Sequence, residues 1–266
     1  QDTMINRAIV PNIVYSMKLI TVEGINKMDE NNNWLTPGGH PQIDFYMRSS
    51  DVILIERYRS IKLLLDIFSY HFESSGPLRL LDMGCGDGIV TKNIQKYHPQ
   101  HEFHLLDGSA SMLDAARKSL GCGCTFIHSS FEDFIRKVSD DQQYDFIYSS
   151  LAFHHLDWNE KAAMYARIFR LLRPEGLFLN IDTVLPSSER SELWQFMMWR
   201  DWINETLAKM GQETGRHDNL PAEYKQKPEN KPSDLFRQLD LLRAIGFRDV
   251  DCFYKYGVFA LFGGTK

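Results

Sequence analysis

The feature that most constrains the fold is an alternation of short apolar runs with amphipathic stretches between residues 78 and 182. The amphipathic stretches carry apolar residues at helical spacing and are predicted to be helices. The clearest of these helices starts at Ser109, a predicted N-cap, and ends at Gly121. Strands that alternate with helices build a mostly parallel sheet with helices on both faces. The predicted strands of this α/β core are LRLLDM (78–83), EFHLLD (102–107), CTFIHS (124–129), DFIYSS (145–150) and LFLNID (177–182).

Three further parts surround this core of residues 78–182. Residues 1–77 are predicted to form a helical N-terminal extension whose last helix stops at Gly76-Pro77. Residues 183–232 form an insert: a long helix rich in tryptophan and methionine, then a polar tract that is predicted to be a loop. Residues 233–266 read as a capped helix from Ser233 to Ile245, followed by an antiparallel hairpin at the sheet edge.

The chemistry is concentrated in a glycine-rich turn after the first predicted strand, Leu81 to Gly88, with the sequence LDMGCGDG. Glycines suit such a turn because the chain bends tightly there and a ligand must approach bare backbone. A dinucleotide fingerprint, G-x-G-x-x-G, would place its third glycine at position 89, where this chain has Ile89. The spacing therefore disfavours a pyrophosphate cofactor.

An acid stands at the end of the second predicted strand. Asp107 follows the glycine turn by about 20 residues, where doubly wound folds place a carboxylate against ribose hydroxyls. Two alternatives stay open: the glycine turn as a structural loop without a ligand, and Asp107 as an exposed acid or a cap of the next helix. The combination of strand, turn, helix and acid favours a nucleoside-binding site.

Five segments in this order resemble class I S-adenosylmethionine-dependent methyltransferases. The resemblance covers roughly residues 78–182 and 233–264, and it is closest to the small-molecule methyltransferases and to the carboxy-S-adenosylmethionine synthase branch. It implies a Rossmann-like sheet of seven strands, parallel except for one strand of the hairpin, with the cofactor over the carboxyl ends of the first strands. The five segments are LLDMGCGDG, HLLDGSASMLDAARK, SSLAFHHL, RLLRPEGLFLNID and IGFRDVDCFYKYGVFALFG.

The resemblance also implies a set of cofactor-binding residues. The methionine part would contact Asp82 and the turn at Gly84, Cys85, Gly86 and Gly88, and the ribose would contact Asp107. Many relatives have an acid after the third strand; this chain has Ser130 there, so the adenine contact would use Ser130, Phe131 or Glu132. The rest of the implied set is Gly108 and Met112 near the adenine, Ser149 at the end of the fourth strand, and Arg48 against the methionine carboxylate or an acidic substrate.

Methyl transfer from a sulfonium depends mainly on placing the acceptor in line with the methyl carbon, and a base is needed only for an acceptor with a tightly held proton. His154, after the fourth strand, is the candidate catalytic base, and local packing of the His154-His155 pair is the alternative. The tryptophan- and methionine-rich helix is predicted to roof the acceptor pocket. An ordinary packing helix or a homodimer interface is an equal alternative for that helix.

Composition narrows the partners and the compartment. The net charge of -5 argues against nucleic acid, and the absence of an apolar run of roughly 20 residues argues against a membrane span. The four cysteines form no Cys-x-x-Cys pair, which favours a reduced, cytoplasmic setting. Cys122 and Cys124 supply only half of a zinc site, so no metal is predicted.

The sequence therefore predicts a cytoplasmic enzyme that transfers a methyl group from S-adenosylmethionine to a small-molecule acceptor and releases S-adenosylhomocysteine. Two alternatives stay open. One is an enzyme like carboxy-S-adenosylmethionine synthase, with Arg48 or Arg200 as the cation that holds a carboxylate, and the other is a non-catalytic module that binds the same cofactor.

Overall fold

The computed structural model describes residue 52 and residues 54–137, 143–215 and 219–266. Strands and helices alternate through the middle of the chain, as the apolar runs predict. The strands are β1 (Arg79–Met83), β2 (Glu102–Asp107), β3 (Cys124–His128), β4 (Tyr144–Ser150), β5 (Leu172–Leu185), β6 (Ser233–Asp234), β7 (Arg248–Tyr256) and β8 (Phe259–Thr265). The helices are α1 (Arg57–His71), α2 (Ile89–Tyr97), α3 (Ala110–Leu120), α4 (Phe131–Lys137), α5 (Trp158–Leu171), α6 (Glu189–Lys209), α7 (Leu220–Gln226) and α8 (Leu235–Ile245).

The strands form one sheet in the order β3-β2-β1-β4-β5-β8-β7, and the two-residue strand β6 pairs with the end of β5. Strands β1 to β5 are parallel, whereas β8 is antiparallel to both β5 and β7. The predicted Rossmann-like, mostly parallel sheet with an antiparallel C-terminal hairpin is therefore confirmed. Because β1 is central and the order reverses beside it, the carboxyl ends of β1, β2, β4 and β5 meet at one edge, the usual ligand edge of such sheets.

Both faces of the sheet are covered by helices. Phe68 of α1 and Ile94 of α2 pack on one face, and Met164 of α5 and Leu242 of α8 pack on the other. A third apolar cluster lies beyond the carboxyl ends of the strands, where Trp199 of α6 packs with its neighbours. These buried residues fall at the helical spacing seen in the sequence.

Several predicted boundaries of helices and loops are wrong, and the differences have one common cause. Helix α8 is capped by Asp234, whose side chain accepts a hydrogen bond from Arg237 N, rather than by Ser233, which joins β6. The polar tract after α6 contains the short helix α7, and Tyr224 on α7 is buried against α6. Helix α1 ends at His71, before the Gly76-Pro77 stop, with the Phe72 amide donating to the Phe68 carbonyl. Caps and short strands depend on partners that are distant in sequence, which local patterns do not contain.

Two of the sequence predictions concern the N-terminal extension and the absence of a membrane-spanning helix. Arg48 lies outside the described residues, as does most of the N-terminal extension. In the part of the chain that is described, no helix combines the length and the apolar character needed to cross a bilayer.

Gly263 on β8 provides a test of the antiparallel pairing. It faces Leu179 of β5, and a Cβ at this position would overlap the Phe178 carbonyl oxygen and lie 2.9 Å from the Phe178 carbonyl carbon. We expect Gly263→Ala to lower the free energy of unfolding by about 3 kcal/mol, because the strands must separate to admit the methyl group. Urea denaturation measures this change. Gly76→Ala is the control, since a Cβ there meets nothing within 4 Å, and equal stability of the two variants would contradict the pairing.

Candidate active site

The glycine-rich turn connects β1 to α2 with three residues in the left-handed region: Gly84 (φ 69°), Gly86 (φ 54°) and Gly88 (φ 76°). Its amides are largely used within the protein. The amides of Gly84 and Cys85 both donate to the Leu106 carbonyl at 2.8 and 3.0 Å, and the Gly88 amide donates to the Cys85 carbonyl at 2.9 Å. A pyrophosphate site needs several free amides at such a turn, so this bonding agrees with the glycine spacing in disfavouring a dinucleotide.

The three glycines serve different purposes. A Cβ on Gly84 would overlap the Cβ of Ala152 and approach the Phe131 ring at 3.2 Å, and a Cβ on Gly88 would lie 2.8 Å from Leu120. A Cβ on Gly86 would meet nothing within 4 Å. Gly84 and Gly88 therefore permit close packing within the protein, and Gly86 is the position where a ligand can approach the backbone.

Asp107 lies at the end of β2, beside the turn. One carboxylate oxygen accepts from the Gly86 amide at 2.9 Å and the other accepts from the Ser109 amide at 2.8 Å. Burial raises the pKa of this carboxyl group, and the amide hydrogen bonds oppose the rise. Each oxygen keeps a further lone pair, so the carboxylate is rigidly held and can still accept from a pair of hydroxyl groups.

His128 adds support behind the acid that the sequence did not suggest. It pairs with Asp107 across the parallel strands, and its Nε2 donates to the Gly108 carbonyl at 3.0 Å. The strand register alone brings these residues together, because they are separated by about 20 positions along the chain.

Asp82 is placed differently from the other predicted ligands. Its side chain is buried and accepts from the Thr91 hydroxyl at 2.6 Å, and that hydroxyl lies 2.7 Å from the Tyr148 hydroxyl. Because the Thr91 proton is used on Asp82, Tyr148 donates to Thr91. Burial raises the pKa of Asp82 to about 7. The structure thus shows Asp82 fastening β1 to α2 and β4, and its predicted contact with the methionine part remains a prediction.

Cys85 and Ser149 do not present side-chain groups to the site. Ser149 is fully buried and its hydroxyl donates to the Met83 carbonyl at 2.7 Å, so it links β4 to β1. Cys85 is buried, with its thiol toward the Gly86 carbonyl. Both side chains complete the packing beneath the turn, and the predicted contacts of these two residues with the cofactor remain predictions.

The residues predicted for the adenine follow β2 and β3 in the chain. Ser130 caps α4 by accepting from the Asp133 amide at 3.1 Å. Phe131 packs edge-on against Phe153 with ring centroids 5.4 Å apart, and Met112 is buried on α3. Glu132 pairs with Arg136 at 2.9 Å on the exposed face of α4, so Phe131 rather than Glu132 is the side chain beside the turn.

The loop after β4 carries the predicted catalytic residue, His154. This loop starts at Leu151, a non-glycine residue at φ 56° whose amide donates to the Ile181 carbonyl at 2.7 Å. Such a left-handed residue costs roughly 1–3 kcal/mol and persists only where surrounding contacts enforce it. Here the close contact of Ala152 with Gly84 holds the loop against the glycine turn.

His154 lies in this loop and is paired with an acid that the sequence did not single out. Its Nδ1 donates to Asp182 at 2.7 Å, and Asp182 also accepts from the Thr183 amide at 2.8 Å. Asp182 is almost fully buried near the carboxyl end of β5. Because Nδ1 carries the proton, Nε2 is left as the basic nitrogen of the ring.

His155 has a different role from His154. Its Nδ1 donates to the Glu229 carbonyl at 3.0 Å, and burial beside His154 lowers its pKa to about 4. His155 is therefore neutral at pH 7 and serves a structural contact, as the packing alternative predicted for one member of the pair.

The long helix α6 presents two different faces. Phe196, Trp199, Ile203 and Leu207 are buried, whereas Leu193, Trp194, Met197 and Met198 are exposed. The buried face packs with Tyr224 of α7 and Phe259 of β8, close to the site edge. This arrangement agrees with a packing helix, and its predicted role as a roof over the acceptor remains a proposal.

A metal centre was not predicted from the cysteines. Cys122 is exposed, and Cys124 receives a long contact from Gln95 at 3.9 Å. Among the residues of the described ranges, no group of three or more histidine, cysteine or acidic side chains is arranged to hold a metal ion.

The pH dependence of the stability tests the buried hydrogen-bond network around Asp82. Its native pKa of about 7 exceeds the usual 3.8, so the unfolded chain ionises first and the stability of the protein falls as pH rises from about 4 to about 7. Asp82→Asn keeps an acceptor for Thr91 and removes this titration. We expect the variant to gain about 1–3 kcal/mol relative to the wild type between pH 5 and pH 8, as measured by urea denaturation at both values. A pH-independent difference, like that expected for the exposed control Asp114→Asn, would show that Asp82 is ionised throughout.

Comparison with known proteins agrees with this fold and site. Residues 80–176 match the methyltransferase-domain family. The chain is 32% identical over 134 residues to a trans-aconitate 2-methyltransferase of Acidovorax sp., which covers 48% of each protein. It is 31% identical over 105 residues to a malonyl-[acyl-carrier protein] O-methyltransferase of Halalkalibacterium halodurans, which covers 39% of this chain and 38% of that protein.

The chain thus spans about half the length, or less, of these two relatives. The crystal structure of human N-acetylserotonin methyltransferase in complex with S-adenosylmethionine has a TM-score of 0.54 at 16% identity, over 85% of this chain and 56% of that one, which shows a shared fold. The methyltransferase-domain match over residues 80–176 thus agrees with the strand order and the glycine turn of this chain.

Proposed function

We propose that this protein transfers a methyl group from S-adenosylmethionine to a small-molecule acceptor. The observation that carries the proposal is the Asp107 carboxylate, held by the Gly86 amide beside the open backbone of Gly86. The Asp107 carboxylate can accept hydrogen bonds from both ribose hydroxyls. The open backbone at Gly86 leaves room for the methionine part of the cofactor, which carries the sulfonium. The absence of free amides for a pyrophosphate at Gly84, Cys85 and Gly88 favours a nucleoside without phosphates.

The residues at the edge would divide the cofactor between them. Asp107 would hold the ribose, Gly108, Met112 and Phe131 would enclose the adenine, and the backbone at Gly86 would face the methionine part. When bound, S-adenosylmethionine supplies an electrophilic methyl carbon on a positively charged sulfur. The protein has to orient the acceptor toward that carbon and exclude water.

His154 is the residue that we propose to act on the acceptor. The loop that carries it contacts the glycine turn through Ala152 and Gly84, which supports a position beside the methionine part of a bound cofactor. Asp182 fixes the Nδ1–H tautomer, so that Nε2 can accept the proton of a hydroxyl or amine acceptor. Positioning alone suffices for an acceptor that carries no such proton.

The cofactor-modifying alternative has less support. It requires a cation that holds a carboxylate above the sulfonium, and Arg200 instead pairs with Asp201 at 2.6 Å, while Arg48 lies outside the described residues. The non-catalytic alternative would bind the same cofactor with the acceptor pocket absent or blocked. A cytoplasmic location belongs to the same proposal, and it is supported by the four free cysteines.

The cofactor assignment is tested by calorimetric titration with S-adenosylmethionine, S-adenosylhomocysteine and NAD. We expect both sulfur ligands to bind the wild type, and Asp107→Ala to weaken them by about 10- to 100-fold, because two charge-assisted hydrogen bonds are lost. Asp114→Ala is the matched control: Asp114 is an exposed acid paired with Arg117 on α3. Tighter binding of NAD than of either sulfur ligand would overturn the assignment.

The role of His154 is tested with a panel of acceptors that includes trans-aconitate, a malonyl thioester, phenols and amines, with S-adenosylhomocysteine as the measured product. For an acceptor with a tightly held proton, we expect His154→Gln and Asp182→Asn each to lower kcat by about 10²- to 10⁴-fold. Affinity for S-adenosylhomocysteine should change little. The control is His104→Gln, on β2 and hydrogen-bonded to Tyr144. Full kcat in both variants with such an acceptor would exclude His154 as a base.

A further inference from the structure

Lys161, in the first turn of α5, is an unusual residue because its side chain is almost completely buried. Lysine is rarely buried to this degree without an acidic partner. In the described part of the chain, Lys161 forms no ion pair with a carboxylate. Its ammonium donates instead to two main-chain carbonyls, those of Leu156 and Lys231, the latter at 2.7 Å.

The two carbonyls belong to segments that are far apart in sequence. Leu156 closes the turn that carries His154 and His155. Lys231 lies at the end of the insert, just before β6 pairs with the carboxyl end of β5. A single ammonium group therefore joins the loop of the candidate base to the returning end of the insert.

Two further hydrogen bonds connect the same segments. The Lys231 amide donates to the His154 carbonyl at 2.7 Å, and the His155 Nδ1 donates to the Glu229 carbonyl at 3.0 Å. Both are bonds between uncharged groups, since His155 is neutral at pH 7. A hydrogen bond from a charged donor is worth roughly twice a neutral one, so the ammonium is the strongest element of this connection.

We propose that Lys161 is a positioning residue that fastens residues 229–231 of the insert to the turn carrying His154. This inference rests on the proposed function, because it assigns the connected turn to the acceptor side of the site. The two side-chain hydrogen bonds of Lys161 go to main-chain carbonyls. Lys161 acts through the main chain that sets the position of His154.

The charges around Lys161 agree with an ammonium group that stays protonated and donates to the two carbonyls. Burial lowers the pKa of Lys161 to about 8, and Asp182, Asp157 and Glu160 offset part of the burial effect while Lys231 adds to it. The ammonium is thus mostly protonated at pH 7. The two carbonyls accept from two of its three N–H donors, which offsets part of the desolvation cost.

The proposal makes a prediction that does not depend on knowing the acceptor. In Lys161→Met, the methylene stem is kept and the donor is lost, so the 229–231 segment should open more often. We expect hydrogen exchange at the Lys231 amide to accelerate by about 10- to 100-fold. Amides of β1, such as that of Leu81, should exchange as in the wild type. The measurement is native-state exchange on the full chain at pH 7.

Lys231→Met is the matched control, because it removes the exposed side chain that lies 3.7 Å from Glu160 and leaves the Lys231 amide and carbonyl in place. It should not change exchange at position 231. If Lys161→Met fails to fold, Lys161→Gln, which keeps a neutral donor, provides the same measurement with a smaller expected acceleration.

Unchanged exchange at Lys231, or an equal acceleration at Lys231 and Leu81, would overturn the proposal, the second result indicating a purely structural role. Titration with S-adenosylhomocysteine separates this inference from the proposed function. Affinity within about twofold of the wild type is expected for Lys161→Met, because the cofactor edge at Asp107 is untouched. A wild type that does not bind this ligand would refute the proposed function and leave the exchange result as it stands.

Discussion

The Asp107 carboxylate connects the two strand ends on which the candidate site is built. It accepts from the Gly86 amide in the turn after β1 and from the Ser109 amide at the start of α3. Without this acceptor the Gly86 amide would lose its partner, and an unsatisfied polar group away from water costs about 1–3 kcal/mol. The same carboxylate thus stabilises the turn and leaves lone pairs for a ligand, so the geometry of the turn is set before any ligand binds.

Close packing then connects the glycine turn after β1 to the loop after β4. Gly84 has no Cβ, and Ala152 occupies the space that a Cβ would need. The contact holds the loop after β4 against the turn and maintains Leu151 in its strained conformation. His154 follows directly in that loop. The distance between Asp107 and His154 therefore depends on this glycine-alanine contact and on the pairing of β1 with β2 and with β4.

Among the buried polar groups at or beneath this edge, Asp82, Asp182 and Lys161 are hydrogen-bonded in different ways. Asp82 is bound by Thr91, Asp182 by His154 and the Thr183 amide, and Lys161 by two carbonyls. Buried groups of this kind are costly unless they are fully hydrogen-bonded. Their presence at one edge of the sheet agrees with a functional site, where specific orientation is more valuable than stability.

The sequence by itself determined the alternation of strands and helices, the glycine turn and the acid at Asp107, because these depend on local periodicity and on spacings of about 20 residues. It could not identify Asp182 as the partner of His154 or Lys161 as the link to the insert, since those contacts join residues 28 and 70 positions apart. Nor could it show that Ser149 and Cys85 point into the packing beneath the turn. Only the tertiary structure decided these points, because strand register and the return path of the insert set which side chains meet, and neither is written in the local pattern of residues.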